Sequence, residues 1–170
     1  MTRFLSPEQI AEFETTGVLV VDDVLPRPVL EAVKAEYSGL LDTMYARWHA
    51  EGRVPDGAGL DFFEKLLAGY KAGCEWFQPM DISLPGDAIT ADTPMHFGPA
   101  VFDMITHPQL LDVVEDLIGP EITSNPIQHL RLKPPSHTLN AQETRAHVGG
   151  TDWHQDRAVA HEEGVQTQMV

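Results

Sequence analysis

The spacing of the apolar residues changes at Gly119-Pro120, and that change sets the class of fold open to this chain. Before it, apolar residues recur mostly at helical intervals. Leu30, Val33, Tyr37, Leu40, Met44 and Trp48 predict one long amphipathic helix from about Pro28 to Ala50, with the stripe as core. Leu110, Leu111, Val114 and Leu117 predict a second from about Pro108 to Ile118, with Asp116 on its polar side and Gly119-Pro120 ending it. After that point the period falls to two. Glu121 to Asn125 and Ile127 to Lys133 read as two strands broken at Pro126, and Pro134-Pro135 ends the second. In that second strand Gln128, Leu130 and Leu132 face one way, while Ile127, His129, Arg131 and Lys133 face the other.

The ends of the predicted elements carry local signals. Ser6-Pro7-Glu8-Gln9 is a capping box with proline at the first helical position. Ile10 and Phe13 form the apolar face of that short helix, and Gly17 stops it. Val18-Leu19-Val20-Val21, bounded by Gly17 and Asp22-Asp23, reads as a buried strand. Asp61 with Glu64 caps a further helix running to about Lys71. Residues 73 to 95 show no period and are punctuated by Pro79, Pro85-Gly86 and Pro94. Residues 136 to 152 are polar and contain glycine, as expected of a flexible excursion. A β-prone run follows at Val165 to Val170 with no terminating signal.

Composition excludes several classes of function. The chain of 170 residues has the length of one domain with a real core. Its formal net charge of −15 argues against nucleic acid and against anionic membrane surfaces as partners. No apolar run approaches the length needed to cross a bilayer, and the N-terminus lacks the apolar region of a signal peptide, so the expected location is cytoplasmic. Cys74 is the only cysteine, which rules out an internal disulfide and a thiolate metal cluster.

The segment with the most chemistry is Trp153-His154-Gln155-Asp156. On a strand, His154 and Asp156 would point to one face and could grip one metal ion. A His and an acid at this spacing suit the opening half of a 2-His-1-carboxylate site for non-haem Fe(II), which needs a second His. His161 is a compact candidate for that ligand, in an acidic turn around Glu162-Glu163-Gly164.

Several pieces, in order, resemble the phytanoyl-CoA dioxygenase family of Fe(II)/2-oxoglutarate oxygenases. They are Leu5-Ser6-Pro7-Glu8-Gln9-Ile10 with Gly17-Val18-Leu19-Val20-Val21, His107-Pro108-Gln109-Leu110-Leu111 through Gly119-Pro120, Leu132-Lys133-Pro134-Pro135, and Trp153-His154-Gln155-Asp156 with Arg157-Ala158-Val159. The resemblance implies an α+β fold, with N-terminal helices packed on a partial double-stranded β-helix, a cupin-like jelly-roll barrel. Within a single domain over 1–170, it implies a mainly helical part to residue 120 and the first barrel strands over 121–170.

The resemblance also implies that His154 and Asp156 bind Fe(II) and that 2-oxoglutarate is the cosubstrate. Dioxygen would then be consumed, with succinate and carbon dioxide formed, to hydroxylate a small organic substrate. Gln128, His129, Arg131 and Lys133 are the residues placed to position the cosubstrate, since basic side chains suit its carboxylates. The family's distal His and clamp Arg are expected beyond Val170, so the chain reads as a truncated N-terminal part of such an enzyme. Two other readings remain open: a non-catalytic cupin-like module or inactive fragment, and a divalent-metal hydrolase using His154, Asp156 and His161.

Overall fold

A computed structural model describes residues 4–83, 89–93, 95–124, 128–133 and 139. Among these, six helices form and no strand does: α1 (Pro7–Thr16), α2 (Arg27–Ala50), α3 (Phe62–Lys71), α4 (Phe77–Met80), α5 (Pro99–Ile105) and α6 (Pro108–Ile118). The expected jelly-roll barrel is therefore corrected. The described chain is helical, with irregular segments where strands were predicted.

The reason is visible at each predicted strand among the described residues; the β-prone run at Val165 to Val170 and the segment Trp153 to Asp156 lie outside them. A strand is held by a neighbour's ladder, and β-propensity alone does not supply one. Val18 and Val20 are 65% and 79% exposed and Leu19 and Val21 only half-buried, so the run is not a buried strand. Its first amide, that of Val18, bonds back to the Thr16 hydroxyl at 3.2 Å. Residues 121–124 are exposed irregular backbone. In 128–133 the amide of Leu130 goes to a carboxylate, Asp81 Oδ1, at 2.9 Å. The alternation itself is present: Gln128, Leu130 and Leu132 are half-buried, whereas His129, Arg131 and Lys133 are exposed.

The helices begin where short-range chemistry dictates. Ser6 accepts from the Gln9 amide at 3.2 Å while the Gln9 side chain accepts from the Ser6 amide at 2.9 Å. Asp61 and Glu64 form the same reciprocal pair at the head of α3, each bond 2.8 Å long. Gly17 ends α1 in the left-handed region at φ 75°, where only glycine is unstrained.

The chain divides into two compact units. One comprises Met1–Gly39 and Phe97–Ser124, the other Leu40–His96 and Asn125–Val170. In the first, Leu5, Tyr37, Val101 and Val113 are buried. Asp116, expected on the polar side of α6, accepts from the Leu5 amide at 2.8 Å. Glu36 accepts from the Ala100 amide at 2.7 Å, satisfying one of the orphan donors at the start of α5.

The second unit has the larger core, built from Leu41, Met44, Tyr45, Trp48, Leu66, Tyr70, Trp76 and Met80. Trp48 is packed so closely against α3 that a Cβ added at Gly69 would lie 2.6 Å from its ring. Lys65 bridges to Asp42 at 2.7 Å, and Arg53 donates to the Gly73 carbonyl at 2.8 Å. No helix among the described residues is long and apolar enough to cross a membrane.

Candidate functional site around Asp81 and His129

Asp81 is the one buried charged side chain among the described residues, at 1% exposure. A carboxylate in such a place is strongly unfavourable unless hydrogen bonds replace its water. The local chain sends it inward. Trp76, just before the short helix α4, and Met80, its last residue, are buried, and the Asp81 amide continues the turn by donating to the Gln78 carbonyl at 3.3 Å. Gln78 Nε2 donates to the Ser83 carbonyl at 2.6 Å and closes the turn from outside.

Both carboxylate oxygens are then satisfied. Oδ1 accepts from the Ile82 amide at 2.8 Å and from the Leu130 amide at 2.9 Å. Oδ2 accepts from His129 Nδ1 at 2.7 Å and from the Ser83 hydroxyl at 3.4 Å. The Asp81 carbonyl accepts from the His96 amide at 3.2 Å. One residue thus ties together the turn at 81–83, the backbone at 96 and the segment 128–133.

This geometry determines what His129 can do. An ionised carboxylate only accepts, so the ring proton of a neutral His129 sits on Nδ1. Nε2 then carries a lone pair. The hydrogen bonds of the ring run through Nδ1, and 36% of the side chain is open to solvent. Ser83 Oγ lies 2.9 Å from that same Nδ1. A serine nucleophile would have to sit on the opposite nitrogen, so Ser83, His129 and Asp81 are not an acyl-transfer triad.

Of the residues expected to position a cosubstrate, His129, Arg131 and Lys133 share the exposed side of one segment, and Gln128 is half-buried on the other. The predicted metal ligands His154 and Asp156, and the alternative His161, lie outside the described residues. Sequence reasoning missed Asp81 and Ser83. An Asp between Met80 and Ile82 carries no local signal, because its role depends on a partner 48 residues away.

Among the described residues no group of three His, Cys, Asp or Glu side chains could hold a metal ion. One ring nitrogen of His129 is held by a buried carboxylate. No family model, curated protein or solved structure matches the chain.

Proposed function

We propose that this protein belongs to an Fe(II)/2-oxoglutarate-dependent oxygenase that hydroxylates a small organic substrate. Support comes from the order of the sequence motifs that resemble the phytanoyl-CoA dioxygenases. The one structural observation that carries the reading is the exposed row His129, Arg131 and Lys133, whose first member is held by buried Asp81.

In this reading His154 and Asp156 supply a nitrogen and an oxygen donor to the metal. The bound iron and cosubstrate supply the oxidising power for attack on a C–H bond. Arg131 and Lys133 supply positive charge for the carboxylates of 2-oxoglutarate, and Gln128 offers a neutral polar group from the other side of the segment. Asp81 sets the direction of the His129 ring.

Calorimetric titration of the chain with Fe(II) under anaerobic conditions, followed by 2-oxoglutarate, tests this. Fe(II) should bind at one site, and 2-oxoglutarate should bind only after the metal. His154→Ala and Asp156→Ala should each remove metal binding, and the complete site should form succinate. Fe(II) affinity that is unchanged in both variants would exclude the assignment.

A further inference from the structure

Asp81 and His129 are arranged as a proton-transfer dyad. Oδ2 of a carboxylate that is 1% exposed lies 2.7 Å from Nδ1. Oδ1 accepts from the Ile82 and Leu130 amides, which fixes the direction of the carboxylate. The Ser83 hydroxyl donates to Oδ2 at 3.4 Å and leaves the Nδ1 proton to the same oxygen. A neutral His129 therefore presents a lone pair at Nε2, on a side chain that is 36% exposed. We propose that His129 Nε2 is the general base for hydrolysis of an anionic activated ester, and that Asp81 is its positioning residue. This activity goes beyond the oxygenase reading and needs neither iron nor 2-oxoglutarate.

The proton inventory narrows the reaction. Nε2 takes a proton from water while the water oxygen attacks the acyl carbon. The bond from that carbon to the leaving oxygen then breaks, and the oxygen departs with the electron pair and takes up the proton from Nε2. The products are a carboxylic acid and an alcohol, with no oxidant or reductant consumed. While the imidazolium exists, Asp81 accepts from its Nδ1–H and stabilises the charge. Ser83 Oγ lies on the Nδ1 side, so water is the nucleophile. An activated ester suits a site with one proton acceptor, because its leaving oxygen departs without being protonated first. Arg131 and Lys133 share the exposed side of the segment with His129, which favours a negatively charged acyl group.

His49 supplies a control. Its Nδ1 is 3.1 Å from the Val54 carbonyl, a neutral acceptor that stabilises an imidazolium less than a carboxylate does.

The probe is the para-nitrophenyl monoester of terephthalic acid, which carries one carboxylate, with neutral para-nitrophenyl benzoate for comparison. Nitrophenolate release is followed in the presence of EDTA. Wild type should saturate with the anionic ester, prefer it to the neutral one, and slow in heavy water. His129→Ala and His129→Gln should each lower kcat about 10²-fold or more, and added imidazole should restore part of the rate to His129→Ala. Glutamine keeps a donor toward Asp81, so the turn retains its tie. His49→Ala should match wild type.

Asp81→Asn tests the positioning role. Its amide oxygen still accepts from Ile82 and Leu130, while its amide nitrogen donates to Nδ1 and forces the ring proton onto Nε2. The variant should lose kcat by a similar factor with KM little changed, and nitrogen-15 NMR should show the proton on Nε2. Wild-type rates in both His129 variants would overturn the proposal, and equal rates on the two esters would overturn the anionic substrate. A moved proton with wild-type kcat would overturn the role of Asp81. If Asp81→Asn loses its circular dichroism, His129→Gln and imidazole rescue decide. Each of these outcomes leaves the oxygenase reading to its own Fe(II) titration.

Discussion

Cys74 is 5% exposed, and burial pushes its thiol above the ordinary value of 9.0, with the Arg53 charge acting weakly the other way. The reactive form of cysteine is the thiolate, so this side chain should be inert at neutral pH. Iodoacetamide should label it slowly in the folded chain and rapidly in urea, and equal rates would contradict the burial. The same shift links stability to alkali. The unfolded thiol loses its proton near 9.0 while the folded one retains it. The stabilisation from the buried neutral thiol is present below that pH and is lost as pH rises through the folded value. At this scale the sequence told part of the story. The two-residue alternation of 128–133 put His129, Arg131 and Lys133 on one side, and that side is exposed although no strand forms. Asp81 was illegible, because nothing near it in the chain hints at the imidazole and amide it meets 48 and 49 residues later.

Between elements, the contact of α3 with α2 depends on the missing side chain of Gly69, and Trp48, at 1% exposure, has no room to move away. Gly69→Ala should lower stability by about 1–3 kcal/mol through overpacking, despite alanine's better helix propensity. Gly39 is the control: it lies inside α2, and a Cβ there meets nothing within 4 Å. Gly39→Ala should raise stability by about 0.5–1 kcal/mol. Chemical denaturation of the two variants separates the effects, and a shared sign would refute the packing argument. The helices with capping boxes were legible because their signals span four residues. The short α5 was not anticipated, since seven residues make only about two turns, too few for a recurring apolar spacing to stand out. Strands were over-read for the converse reason. Val18 and Val20 have the right side chains but no neighbouring ladder, so their propensity has nothing to act on.

Over the whole molecule, a net charge of −15 on 170 residues makes self-repulsion a general term opposing compactness. Most of the ion pairs among the described residues are exposed, such as Arg27 with Glu31 and Lys34 with Glu31, and each contributes at most about 1 kcal/mol. Screening should therefore relieve more repulsion than it removes attraction. The melting temperature should rise from low salt to about 0.15 M, where the Debye length is about 8 Å. A melting temperature that falls with salt would mean that specific ion pairs dominate. Two compact units were not visible in the sequence, because the first joins residues 1–39 to 97–124 across an intervening stretch of chain.

The bonds made by Asp81 also bear on the order of folding. The pairing of α2 with α3 closes a short loop and can form early, whereas the contact from Asp81 to His129 spans 48 residues. Closing such a span costs chain entropy before any bond repays it. The direction of the His129 ring is therefore expected among the last features of the second unit to be set, and it requires the turn at 81–83 to be in place.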